Sequence, residues 1–145
     1  MTSNFKSIRS CSSHDLFSYL LRLAKLPISR RRYTVVSPPF LETCSIYDRK
    51  ERRIFSLKTN SVFDYWTVSQ VFFDQDYSLE DLVRYGEIQR LYDLFTRQGR
   101  SLILDLGANI GASARYLSLN WPAAEIWCVE PSARNVNLLG RNIRD

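Results

Sequence analysis

Two stretches decide the fold class: LILDLGANIGAS (102–113) and, after a fixed interval, WCVEPS (127–132). They read as strand, glycine turn, helix and a second strand ending in an acid. The apolar run 101–106 lies between Gly99 and Gly107, the pattern of a strand buried on both faces of a parallel sheet. Gly107 and Gly111 frame a tight turn, where the lack of a Cβ permits unusual backbone angles and close approach of a ligand. A helix expected to begin near Ile110 would present backbone N–H groups at its start, a setting for the polar end of a nucleotide-like molecule.

The acid on the second strand narrows the chemistry. Glu130 follows Gly111 by 19 residues, close to the spacing at which nucleotide-binding α/β folds set a carboxylate against the ribose hydroxyls. The dinucleotide fingerprint also requires glycines where this chain has Asn109 and Ala112, which disfavours a nicotinamide or flavin dinucleotide.

These residues resemble the S-adenosylmethionine-dependent methyltransferases of the FkbM type. The family's D-x-G-A-N-x-G motif is matched by Asp105, Gly107, Ala108, Asn109 and Gly111, and its E-P dipeptide by Glu130 and Pro131. QVFFDQDY (70–77) is similar to the family's segment upstream of the nucleotide fold, and LLGRN (138–142) to the helix after E-P. The resemblance covers roughly the last 90 residues, and two motifs at the right interval are more specific than either alone. It implies a Rossmann-like class I methyltransferase fold over residues 79–145, preceded by a mixed α+β accessory region over residues 1–78. The family's sheet continues through further strands, so the resemblance implies an incomplete, amino-terminal portion of that fold, without the segments that supply the substrate pocket and any general base.

The resemblance also implies roles. Asp105 orients the glycine turn and the amino-acid end of the cofactor, Gly107 admits the backbone to close approach, and Glu130 accepts the ribose hydroxyls. Asn109 is expected to cap the following helix and Gly111 to keep its first turn clear. The implied reaction is transfer of a methyl group to a hydroxyl of a sugar, glycan or small metabolite, in which positioning supplies much of the rate. Two other classes remain open: a non-catalytic remnant or interaction module that pairs its sheet edge with a second copy or complementary chain, and another nucleotide-binding Rossmann enzyme.

Bulk properties fit one folded core in 145 residues with 45% hydrophobic content. The three cysteines, Cys11, Cys44 and Cys128, have no zinc-like spacing and leave one unpaired under any scheme, so a reducing cytoplasm is the expected setting. The apolar stretch 16–26 is interrupted by Arg22 and Lys25 and is too short to span a bilayer, and Asp15 and Arg22 spoil it as a secretory signal. Residues 1–58 carry 12 Lys and Arg against 4 Asp and Glu, whereas residues 59–145 carry 8 against 11. The clusters Arg30–Arg32 and Arg49, Lys50, Arg52, Arg53 suit attraction to an acidic glycan, membrane surface or nucleic acid; a solvated face is the expectation. Nucleic acid is not expected, because aromatics do not interleave with these arginines.

Ser12 with Asp15 three residues on forms a capping-box pattern, and Leu16, Tyr19, Leu20 and Leu23 recur at helical spacing until Pro27. That apolar face suits packing on the domain, a partner or a membrane surface, with the domain itself as the expectation. Residues 33–36, 43–47 and 53–57 read as short strands, separated by Pro38, Pro39 and a charged turn over 48–51. In the aromatic segment 61–73, Tyr65, Val68 and Phe72 recur at helical intervals while the β-branched and aromatic content suits a strand; the family resemblance implies a helix, and the aromatics are expected to form core, with Trp66 read as packing, and Tyr77 just beyond it likewise. Ile88, Leu91, Tyr92 and Phe95 form the stripe of a helix packing on the sheet, with Gly99 just past its end. His14 has no partner at metal-ligand spacing and is expected to face solvent, and Cys128 to be a small buried residue.

Overall fold

Local backbone signals set the elements. The structure, a computed structural model, describes residues 11–24 and 31–144. Over the described residues the chain is a mixed α/β protein with two sheets, and it divides between Phe73 and Asp74 into two compact units. Pro27 and Arg30 lie outside the described residues.

In the first unit, α1 (Ser13–Ala24) opens with the capping box: the Ser12 hydroxyl accepts from the Asp15 amide at 3.1 Å, and the Asp15 carboxylate accepts from the Ser12 amide at 3.1 Å. Strands β1 (Tyr33–Val35), β2 (Thr43–Asp48) and β3 (Arg53–Lys58) form an antiparallel sheet in the order β1-β2-β3. Alternation along β2 turns Cys44, Ile46 and Asp48 inward. Ser61 caps α2 (Val62–Ser69) by accepting from the Asp64 amide, and one turn of π-helix, Gln70–Asp74, follows. The expected helix thus forms, and its aromatics build the core. Tyr33, Phe55 and Phe72 meet edge to face at 5.2 to 6.4 Å, and the buried Tyr65 hydroxyl donates to the Ser37 carbonyl at 3.0 Å.

Two expectations fail here. None of the described residues of α1 is buried: Trp66 donates to Asp15 at 2.7 Å, the Tyr19 hydroxyl donates to the Val36 carbonyl at 3.3 Å and Arg22 donates to the Ser69 hydroxyl, so the polar side of the helix faces the unit. The aromatics of α2 and the π turn already fill the core, leaving polar anchors as the means of attaching α1. Asp48 belongs not to the charged turn expected over 48–51 but to the end of β2, where it is buried and pairs with both Nε and Nη2 of Arg32 at 3.1 and 2.9 Å. The Arg32 guanidinium also lies 4.7 Å from the centre of the Tyr33 ring, so this arginine is a packed residue rather than part of a free basic face.

In the second unit, α3 (Tyr85–Arg97) ends at Gly99, whose φ of +64° lets the amides of Gly99 and Arg100 return to the carbonyls of Thr96 and Phe95. Then come β4 (Leu102–Leu106), α4 (Ala112–Asn120), β5 (Glu125–Val129) and α5 (Ala133–Asn142). The two strands pair in parallel, Leu104 opposite Trp127 and Asp105 opposite Cys128. The sheet is covered on one face only. Asp105 and Cys128 turn toward α4, while Leu102, Leu104, Leu106, Trp127 and Val129 are exposed on the other, against the expectation of a strand buried on both sides. The α3 stripe is not buried either. It faces the start of β4 across an open groove of about 250 Å³, because the helix is held at its tyrosines: Tyr85 and Tyr92 meet the Trp121 ring at 6.4 and 4.7 Å, and the Tyr92 hydroxyl accepts from the Ala123 amide.

Candidate functional site

The site is the junction of β4, the turn to α4, and the end of β5. Both strands end side by side, so the parallel register brings the turn after Leu106 against the residues after Val129. Gly107 and Ala108 both donate to the Val129 carbonyl, at 2.8 and 3.1 Å, folding the turn back over β5. Three residues of this turn take left-handed backbone angles: Gly107 and Gly111 at φ +85° and Asn109 at φ +50°. The glycines differ in purpose. A Cβ on Gly107 would meet open space, and that residue is exposed; a Cβ on Gly111 would come within 3.3 to 3.4 Å of Ile143 and Leu139, so Gly111 serves close packing of the turn on α5.

Glu130 ties the halves together. Its Oε2 accepts from the Asn109 amide at 2.9 Å and its Oε1 from the Ser132 amide at 2.8 Å, with Asn135 Nδ2 at 3.5 Å. Each carboxylate oxygen has two acceptor directions, so one direction on Oε2 remains for a hydroxyl donor. Pro131 beside it is exposed, and Ser132 caps α5. Asp105 is buried and accepts from the Ser113 hydroxyl at 2.7 Å, which fixes the first turn of α4 against the sheet. Ala108, Ile110 and Gly111 are buried, whereas Gly107 is exposed like Pro131, and Asn109 and Glu130 are half-buried. Burial and the adjacent Asp105 carboxylate push the half-buried Cys128 thiol up, keeping it uncharged.

The structure therefore brings together all the residues singled out in sequence: Asp105, Gly107, Ala108, Asn109, Gly111, Glu130 and Pro131. It corrects one role. Asn109 does not cap the helix, which starts at Ala112 with Gly111 in the capping position; its left-handed angle aims its amide at Glu130 instead. Sequence reasoning assigned nothing to Ser113, Ser132 or Asn142. Ser132 before a helical run is a legible cap, but Asn142, whose side chain donates to the Ile110 carbonyl at 2.8 Å, is 32 residues away from it and carries no local signal.

A second groove of about 230 Å³ lies under the sheet between Ala114, Ser118, Ile126 and Cys128, and does not include the glycine turn. Among the described residues no group of His, Cys, Asp or Glu is arranged to hold a metal ion, and no helix is long and apolar enough to cross a membrane. Compared with known proteins, the chain matches no family model, no curated protein and no solved structure.

Proposed function

We propose that this chain is the cofactor-binding part of an S-adenosylmethionine-dependent methyltransferase of the FkbM type, acting on a hydroxyl of a sugar, glycan or small metabolite. The observation that carries the reading is the bond from the Asn109 amide to Glu130, which sets an acceptor carboxylate beside an exposed glycine at the carboxyl ends of two parallel strands. Ligands of open α/β sheets occupy that location. The donor and acceptor set suits the cofactor: Glu130 retains one acceptor direction, on Oε2, for a ribose hydroxyl, and Gly107 offers backbone without a Cβ in the way. When bound, S-adenosylmethionine supplies an electrophilic methyl on a sulfonium centre. The chain's own part is positional: Glu130 fixes the ribose, Gly107 and Asn109 form the floor, and Asp105, through Ser113, keeps the first turn of α4 from shifting. The acceptor class rests on the family resemblance.

One observation favours a second reading as an interaction module, namely the exposed face of Leu102, Leu104, Leu106, Trp127 and Val129 on a sheet with two open edges. Calorimetric titration separates the classes. The methyltransferase reading expects saturable S-adenosylmethionine binding with NADH silent. NADH binding with no response to S-adenosylmethionine would replace it with a dinucleotide enzyme, and a stable oligomer that binds neither would replace it with the module.

A further inference from the structure

The glycine turn is tied to both ends of α5. Ahead of the helix, Glu130 accepts from the Asn109 amide at 2.9 Å. At the last helical residue, the Asn142 side chain donates to the Ile110 carbonyl at 2.8 Å, in a bond buried from solvent. The ten residues of α5 span about 15 Å, so two successive residues of the turn are fastened to opposite ends of one rigid element. Close packing seals the Asn142 end: Leu139 and Ile143, which flank Asn142, are the residues that a Cβ on Gly111 would meet. What these bonds hold is unfavourable by itself. Asn109 carries a Cβ yet lies at φ +50°, a setting that non-glycine residues seldom adopt and that persists where the surroundings impose it. Ile110 precedes Gly111, whose carbonyl accepts from the Arg115 amide as α4 begins, so the Ile110 carbonyl stands outside the helical ladder and is anchored by Asn142.

We propose that Asn142 is a positioning residue of the candidate site: its bond to the Ile110 carbonyl holds the turn in the left-handed form that presents the Asn109 amide to Glu130, and thereby fixes the Glu130 carboxylate for a ligand. Asn142 and Ile110 are both buried, so the effect passes through the turn and not through contact with the ligand. The consequence for S-adenosylmethionine rests on the reading of Glu130 as the ribose acceptor; the hold on the turn does not.

The test is amide hydrogen exchange of the full chain, followed residue by residue by NMR in the parent, Asn142→Leu and Leu138→Ala. The first variant removes the donor while keeping the branched shape; the second opens a cavity in the same helix and leaves both bonds in place. In Asn142→Leu the Asn109 amide should exchange at least about tenfold faster than in the parent, while that of Ala108, bonded to the Val129 carbonyl, should change by less than about twofold. In Leu138→Ala the two amides should speed up together. Asn142→Ser, whose hydroxyl is too short to reach the carbonyl, reads the same pair of amides should the leucine variant not fold. S-adenosylmethionine should bind the Asn142 variant at least about fivefold more weakly than the parent, and Leu138→Ala as the parent does. Unchanged Asn109 exchange in the Asn142 variants would overturn the proposal, as would an equally selective change in Leu138→Ala, or equal S-adenosylmethionine affinity in the Asn142 variant and a parent that binds it. A parent that gives the exchange pattern without binding S-adenosylmethionine would remove the methyltransferase reading and leave Asn142 as the residue that positions Glu130.

Discussion

The two units handle their apolar surface in opposite ways. In the first, neighbouring strands pair antiparallel through short connections, and the segment that follows, α2 and the π turn, returns at once to close the inner face, burying Ile46 and Leu57 together with its own Phe72. In the second, a parallel pair needs a helical crossover between its strands, and that single helix covers one face of the sheet. Leu104 and Trp127 are left to solvent on the other. An antiparallel sheet tolerates one open face when that face is polar; a parallel pair made of leucines, valine and tryptophan has no polar face to offer. Sealed packing in the first unit and an open apolar face in the second mean that equal truncations should have unequal costs.

Phe72→Ala should produce the largest effect. The ring is fully buried between Tyr33 and Phe55, and its loss should destabilise the first unit by about 3 to 5 kcal/mol, read as a shift in the denaturation midpoint. A cost under about 1 kcal/mol would show that the first unit is not sealed.

Asp48→Asn should come next, at about 2 kcal/mol at neutral pH, by removing the carboxylate charge that pairs with Arg32. Burial pushes the Asp48 carboxyl up, but the Arg32 guanidinium and the amides of Glu51 and Lys50 outweigh it and hold it below the usual carboxylate range. A depressed folded-state pKa gives stability that is present above the unfolded value of about 3.9 and lost as pH falls through the folded value. Melting curves of parent and variant should therefore converge on acidification below about pH 4; a gap that stays constant into acid would contradict the pairing.

The smallest effect belongs to the open face. Leu104→Ser should change stability by no more than about 0.5 kcal/mol while reducing binding of a hydrophobic dye. A cost comparable with that of Phe72→Ala would mean that the face is covered in solution, and the contrast between the units would fail.

What was legible in the sequence follows the same division. The strands of both sheets, the capping box at Ser12 and the terminating Gly99 were readable because each depends on a few adjacent residues. The residues of the glycine turn were also readable, since a left-handed turn followed by an acid at a set interval leaves a compositional trace. Orientation was not. The stripes of α1 and α3 show that each helix has an apolar side, yet the polar anchors of α1 on Trp66 and Ser69, and the hold of Trp121 on Tyr92, decided which way that side turned. Asn109 is the same lesson at atomic scale: its residue type suits a cap, and the distant Glu130 gave its amide another use.

The proposed S-adenosylmethionine site stands on Glu130 and the glycine turn. Replacing Glu130 by alanine would orphan the Asn109 and Ser132 amides, so the informative change is Glu130→Gln, which keeps an acceptor and removes the charge. The most direct measurement is titration of S-adenosylmethionine into parent and Glu130→Gln, followed through the backbone amide resonances. Saturable shifts centred on Gly107, Asn109 and Ser132 are expected in the parent, with affinity at least about tenfold weaker in a folded variant. A folded parent whose glycine-turn amides do not respond, or a variant that binds as tightly as the parent, would contradict the proposed site.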